Sequence, residues 1–297
     1  MSAVSHGGAP ARHPLRQVLG SSRPLSWVNT AYPFGAAYLL AGGGVDLAFV
    51  VGVLYFLVPY NLLMYGVNDV FDYESDVRNP RKGGVEGVVL DRRVHRTTIV
   101  AAVTSNVPFL VALLVLGDLR SALVLAVSVF AVVAYSAPGL RFKERPFLDS
   151  VTSSTHFVSP AVVGLALAGA SLTDNAAALV GFFLWGMGSH AFGAVQDVEA
   201  DRAGGIGSIG TVLGAAPTTW FALGCYVVGG LVLLTLPWPY TLAAALAVPY
   251  VLNVLPFLRL RDADCERANA GWRRFLWLNY LTGFLLTQLL IWPHVSW

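Results

Sequence analysis

The sequence predicts an all-α, polytopic membrane bundle of nine transmembrane helices. Three observations predict it. The chain has 297 residues, of which 56% are hydrophobic and only 12% charged, about half the charged share of an average soluble domain. Nine apolar segments are long enough to span, near 25–42, 47–69, 95–117, 119–137, 148–170, 175–195, 213–236, 239–258 and 273–292. With that count, 18 of the 19 Lys and Arg residues fall on one side and Arg120 alone on the other. A wrong count of spans scrambles such a partition.

Residues 1–24 carry Arg12, Arg16, Arg23, His6 and His13 without an apolar core, so they read as a cytosolic N-terminal tail rather than a signal peptide. Residues 25–297 then form one transmembrane domain. The first span closes on Gly42-Gly43-Gly44 and the second on an acidic run. Arg78, Arg81, Lys82, Arg92, Arg93 and Arg96 separate the second and third spans. Arg141, Lys143 and Arg145 follow the fourth. The fifth is interrupted by Ser, Thr and Pro160 and is expected to kink, which a membrane helix tolerates where neighbours satisfy its freed backbone. Arg202 follows the sixth, and five arginines lie between Arg259 and Arg274, around the gap between the eighth and ninth. The positive-inside rule places the N-terminus and these loops in the cytoplasm and the C-terminus, with Trp292 and Trp297, outside. The expected location is the plasma membrane.

The outer loops are short and no soluble domain is inserted, so function is expected within the bundle and at its cytoplasmic end. A net charge of +2 and no aromatic-interleaved basic stretch give no reason to expect nucleic acid. Cys225 and Cys265 form neither a disulfide framework nor a metal spacing. No Gly-x-x-x-x-Gly-Lys loop is present to argue for nucleotide hydrolysis.

The chemistry lies in two acidic runs. The second span ends in Asn68-Asp69-Val70-Phe71-Asp72-Tyr73-Glu74-Ser75-Asp76. On a continuous helix Asp69, Asp72 and Asp76 share a face, and Asn68, Asp72 and Asp76 nearly so. Carboxylates at the end of a span are costly and need a partner. A hard cation supplies one, and oxygen-only ligation suits Mg²⁺. The sixth span ends in Gln196-Asp197-Val198-Glu199-Ala200-Asp201, with Asp197 and Asp201 at i and i+4. Asp69 and Asp197 are 128 residues apart, a little under half the chain. That spacing suggests two related halves, each giving an acidic helix end to one site.

The side-chain oxygens of both runs (Asn68, Asp69, Asp72, Asp76, Asp197 and Asp201) together with basic loops suit a diphosphate. Mg²⁺ bridges it to the acids, and Lys or Arg cover its remaining oxygens. Tyr135-Ser136-Ala137-Pro138-Gly139-Leu140-Arg141-Phe142-Lys143 offers such cations at the end of the fourth span, and Arg78, Arg81, Lys82 and Arg202 offer more.

Asn68-Asp69-x-x-Asp72-x-x-x-Asp76 and Asp197-x-x-x-Asp201 resemble the two aspartate-rich motifs of the UbiA superfamily of intramembrane prenyltransferases. Tyr135 through Lys143 is similar to that family's Tyr-Ser-x-x-Pro segment, and Gly207 to Gly214 resembles the Gly/Thr-rich stretch after its second motif. The resemblance covers roughly residues 24–292. It implies nine helices around a central cavity open to the cytoplasmic side, Mg²⁺, and an isoprenyl diphosphate donor. Many quinone and lipid members carry Asn-Arg-Pro-x-Pro-x-Gly soon after the first motif. Here the stretch is Asn79-Pro80-Arg81-Lys82-Gly83-Gly84-Val85-Glu86-Gly87-Val88-Val89-Leu90, which looks like the carotenoid branch, the lycopene elongases.

The resemblance therefore implies Mg²⁺-dependent transfer of a dimethylallyl group to a lipophilic acceptor, lycopene, with Asn68, Asp72, Asp197 and Asp201 as the catalytic set. It also admits carotenoid-pathway partner subunits. The leaving diphosphate creates an allylic cation that aromatic faces can stabilise. Tyr65 and Asn61 precede the acids on the second span, and His190 lies seven residues before Asp197, so these three are expected to face the acceptor or the cation. His190 is the candidate to receive or relay a proton. Two other readings stand beside this one. One is a UbiA enzyme acting on a quinone precursor, a tetrapyrrole or a glycerol phosphate lipid. The other is a transporter, whose acidic groups belong at mid-bilayer rather than at helix ends.

Overall fold

The structure, a computed structural model, describes residues 13–77 and 89–294, and side chains throughout that range except those of Ser75, Asp76 and His294. Arg78, Arg81 and Lys82 and the Asp76 side chain therefore lie outside the described residues. Among the described residues the fold is helical, with no strand. The long elements are α1 (Pro14–Ser21), α2 (Val28–Leu40), α3 (Leu47–Phe71), α4 (Arg92–Leu116), α5 (Leu119–Ser136), α6 (Leu148–Leu167) and α7 (Ala176–Val195). After two short helices, α8 (Val198–Ala203) and α9 (Ile209–Leu213), come α10 (Ala215–Leu233), α11 (Tyr240–Phe257) and α12 (Asn269–Ile291).

Six of these, α3, α4, α5, α7, α10 and α11, are long and apolar enough to cross a bilayer. The protein is a multi-pass membrane protein. The remaining expected spans coincide with α2, α6 and α12. Of these, α2 has only 13 residues. α6 buries a run of polar side chains, Ser150, Thr152, Ser154, His156 and Ser159. Polar groups are tolerable there because α6 packs against protein, where hydroxyls find interhelical partners. Ser128 of α5 bonds Ser159 of α6 at 2.6 Å and the Tyr60 hydroxyl of α3 at 3.1 Å.

Two apolar cores flank α6. One gathers Phe34, Tyr38, Tyr55, Phe56, Tyr60 and neighbours from α2 to α5. The other gathers Phe192, Tyr226, Tyr250, Phe257 and Phe275 from α7 to α12. Glycines set how closely helices approach. A Cβ on Gly164 of α6 would stand 2.5 Å from the Phe34 carbonyl oxygen of α2, so those backbones touch.

α3 is not the single regular helix its apolar run suggests. It breaks at Val58–Pro59 and carries a π turn at Leu62–Gly66. Proline cannot donate to the preceding turn, so the carbonyls before it need other partners. Asn61 supplies them, donating to Phe56 O (2.8 Å) and Leu57 O (3.1 Å), while the Thr30 hydroxyl donates to Phe56 O at 2.6 Å. Asn106 of α4 donates to Pro59 O at 2.7 Å. The extra residue of a π turn rotates the helical turns before it by roughly 100° relative to those after it. Asn61 therefore does not keep the face of Asn68 that an unbroken heptad would give it.

α1 falls inside the expected cytosolic tail. Gln17, Val18 and Ser21 are buried against the bundle, and the Gln17 side chain accepts from Asp91 N (2.9 Å) at the start of α4.

Candidate active site

The last turn of α3 unwinds at Asp72, whose φ and ψ are −96° and 2°. Asp72 N still bonds Asn68 O at 2.9 Å, so Asn68 and Asp72 keep one helix face while Asp69, one residue on from Asn68, points about 100° away. Asn68 and Asp72 turn to the loop after α5, and Asp69 turns the other way. Lys143 donates to Asn68 Oδ1 at 3.2 Å and forms a close ion pair with Asp72. Ser136 also donates to Asn68 Oδ1, at 2.9 Å. Arg141 stands 3.7 Å from Asp72 and pairs closely with Glu144. Burial lowers the affinity of Lys143 for its proton, and the Asp72 carboxylate opposes that shift. The Glu144 hydrogen bond instead holds the Arg141 proton more firmly.

Arg141 takes a left-handed backbone, φ 40°, two residues after Gly139 at φ 86°. Gly139 makes such a turn without steric cost, whereas a side chain there is strained. The turn reverses the chain after α5 and returns Arg141 and Lys143 to the acidic end of α3.

Asp69 is buried, and its Oδ1 accepts from Arg23 at 3.1 Å. Arg23 also lies over the Tyr65 ring, 4.3 Å from its centroid. Tyr65 is thus covered from the N-terminal side.

The second acidic run follows α7, where Asp197 precedes α8 and Asp201 lies within it. Both carboxylates are partly exposed. The chain then folds back toward α6. Asp149, 0% exposed in the first turn of α6, accepts from Ile209 N at 2.7 Å and from Ser150 N at 2.6 Å. A Cβ on Gly207 would stand 2.6 Å from the Glu144 carbonyl oxygen. The loop after the second run is thereby pressed onto the loop that holds Arg141 and Lys143. Arg202 engages Asp262 at 2.5 Å and Thr211 O at 3.0 Å.

Deeper in the bundle three helices meet at His190. Its Nε2 lies 3.2 Å from the Tyr135 hydroxyl and its Nδ1 3.1 Å from Ser150 Oγ. The Tyr135 ring also meets His156 edge-on at 5.1 Å between centroids. These contacts join α5, α6 and α7 just below Ser136 and Asp149.

The sequence profile of the UbiA prenyltransferase family matches residues 30–280. The chain belongs to that family. It is 58% identical over 285 residues to the C(50) beta-cyclic carotenoids biosynthesis protein LbtBC of Dietzia sp., covering 95% of this chain and 66% of that protein. The chain thus spans just under two thirds of that relative's length. It is 53% identical over 283 residues to a lycopene elongase/hydratase of Corynebacterium glutamicum, covering 94% of this chain and 98% of that one. A solved UbiA homolog from Archaeoglobus fulgidus, bound to DMAPP and Mg²⁺, superposes with a TM-score of 0.65 at 17% identity, over 90% of this chain and 98% of that one. This likeness shows a UbiA fold.

Within the UbiA chain, the structure brings together Asn68, Asp72, Tyr135, Arg141, Lys143 and His190 at or just beneath the end of α3. It sets Asp69 and Tyr65 against Arg23, Asn61 inside the α3 break, and Arg202 on Asp262. Sequence reasoning missed Arg23, Ser136, Asp149 and Ser150. Ser136 was legible as the neighbour of Tyr135, and Asp149 as an acid inside an apolar segment. Arg23 carried no signal beyond its charge. The donors of both acidic runs are oxygens only, which fits a hard cation such as Mg²⁺ by type. Among the described residues no three His, Cys, Asp or Glu side chains converge as a metal cluster.

Proposed function

We propose that this UbiA enzyme transfers a dimethylallyl group from its diphosphate to an end of lycopene, with Mg²⁺, lengthening the carotenoid. The observation that carries this reading is the meeting of Lys143 with Asn68 and Asp72, which joins the basic loop to the first acidic motif. The names of the Dietzia and Corynebacterium relatives support the acceptor, and the ligands named for the Archaeoglobus homolog support donor and metal.

Asn68, Asp72, Asp197 and Asp201 would hold Mg²⁺. Mg²⁺ held by these residues would supply positive charge beside the leaving diphosphate. Lys143 and Arg141 bind diphosphate oxygens not taken by the metal, and Arg78, Arg81 and Lys82 add to them. Arg202, anchored on Asp262, keeps the second motif's loop folded over the basic loop. Ser136 orients the Asn68 amide. Tyr135 presents its ring to the allylic cation, and Ser150 fixes the His190 ring beside it. After the new C–C bond forms, the acceptor carries a tertiary cation. A proton leaves directly or after water adds, and the 3.2 Å contact between Tyr135 and His190 supports these two as its relay.

The same reading takes α2, α6 and α12 as spans beside the other six. It places the nine-helix bundle in the plasma membrane with a cytoplasmic N-terminus. Membranes carrying the protein should convert lycopene and labelled dimethylallyl diphosphate to products heavier by C5 units, and chelation of Mg²⁺ should stop them. Absence of product from lycopene, with turnover of a quinone precursor, tetrapyrrole or glycerol phosphate lipid, would overturn the acceptor.

A further inference from the structure

Three non-glycine residues in the described chain have positive φ, namely Arg23 (50°), Arg141 (40°) and Phe147 (66°). Such backbone is strained for a side chain and persists only where the surroundings enforce it. Two of the three are arginines, and each delivers its guanidinium to a carboxylate of the first acidic run. Arg141 approaches Asp72 at 3.7 Å and Arg23 reaches Asp69 at 3.1 Å.

The Arg23 arrangement is built from several sides. Ser21, the last residue of α1, lies beside Gly66 of α3, its hydroxyl 3.4 Å from the position a Cβ would take there. The chain then turns at Ser22, whose carbonyl and hydroxyl both accept from the Trp27 indole at 3.1 Å. Arg23 covers the Tyr65 ring, 4.3 Å from its centroid. The Asp69 side chain is 0% exposed and that of Arg23 22%. A buried carboxylate in contact with a guanidinium is held in one orientation far more firmly than a solvated one.

We propose that Arg23 and Asp69 are positioning residues of the active site. Arg23 holds Asp69 turned away from the cation site, and this fixes the last turn of α3 so that Asn68 and Asp72 face Lys143. The first motif is then split by role. Asn68 and Asp72 serve the metal, and Asp69 ties the N-terminal helix to the site. The division deepens the metal assignment proposed above and rests on it.

Full-length protein in detergent allows a test with Mn²⁺ alone, followed by the resonance of free Mn²⁺. Asp69→Asn keeps an acceptor for Arg23, so it should bind Mn²⁺ within about threefold of wild type, whereas Asp72→Asn should weaken binding about tenfold or more. Kinetically, Arg23→Ala and Asp69→Ala should each lower kcat about tenfold, the double variant should lose no more than the worse single one, and KM for dimethylallyl diphosphate should stay within about threefold. Arg23→Lys should recover part of kcat. It and Asp69→Asn keep the test readable if an alanine variant fails to fold. Loss of Mn²⁺ by Asp69→Asn equal to that of Asp72→Asn, or additive losses in the double variant, would overturn the proposal. An unchanged Mn²⁺ affinity in Asp72→Asn would instead overturn the metal assignment, leaving the coupling of Arg23 and Asp69 to be decided by the double variant.

Discussion

Lys143 is pulled in two directions. Its burial disfavours the ammonium, and Asp72 offsets part of that shift. Removing Asp72 therefore takes away a carboxylate and also the support for the cation beside it. Asp72→Ala should lower turnover at least about 100-fold if charge stabilisation is the main catalytic contribution. Asp197→Ala should do the same from the other acidic run, with the protein still inserted in the membrane. Product formation by mass, alongside a measure of folded protein, checks both, and near-wild-type turnover in either would sink a shared site. Tyr135→Phe keeps the ring and loses the hydroxyl that meets His190. It should spare donor binding and alter the ratio of hydroxylated to unsaturated product, which chromatography of the carotenoids reads directly.

At the scale of elements, close approach between helices decides where the site residues stand. Gly164→Ala should destabilise the α2–α6 contact by about 1–3 kcal/mol, as over-packing does. Gly224 has nothing within 4 Å of the position its Cβ would take, so Gly224→Ala should be tolerated. Thermal unfolding in detergent compares the two. The hinge after the second acidic run is held by Asp262, which accepts from Ala215 N at 2.7 Å and pairs with Arg202. The Ala215 N–H and then Arg202 hold its carboxyl below the usual range. Because the folded value lies below the unfolded one, the contribution is complete above about pH 4 and is lost as pH falls through the folded value. Asp262→Ala should thus cost stability at pH 7 and little once the carboxyl is protonated, by no more than about 1 kcal/mol for so exposed a group.

The whole molecule sets which side of the membrane the site faces and how much room the donor has. The partition of 18 basic residues against Arg120 predicts that a cytosolic thiol reagent reaches Gly84→Cys and an external one reaches Ser296→Cys. The native Cys225 and Cys265 are buried, so they leave a clean background. Labelling of both new cysteines from one side would mean an odd error in the span count. Donor length is the second test. A C40 acceptor is long and rigid and leaves little apolar volume for a donor tail. In a roomier groove each added buried CH₂ contributes roughly 0.8 kcal/mol, so longer donors would win. Dimethylallyl diphosphate should exceed geranyl and farnesyl diphosphates in kcat/KM, and a preference for farnesyl would favour a quinone or lipid acceptor.

Local patterns were legible in the amino-acid order alone. Apolar runs marked the helices because a bilayer demands length and hydropathy, both of which are local properties. The paired acidic runs and the Tyr135–Lys143 segment pointed to the UbiA family because charges at helix ends are costly enough to be informative. The partners of those charges were not legible. Arg23 meets Asp69 across 46 residues, Tyr135 meets His190 across 55 and Lys143 meets Asp72 across 71. Helical periodicity put Asp69 and Asp72 on one face, yet Asp72 pairs with Lys143 beside Asn68, its i−4 neighbour, and Asp69 pairs with Arg23. Asn61 was read by heptad spacing, which the π turn of α3 interrupts. Which cation reaches which carboxylate depends on how α1, α5 and α6 dock on α3, at glycine contacts and strained turns that only the packed molecule enforces.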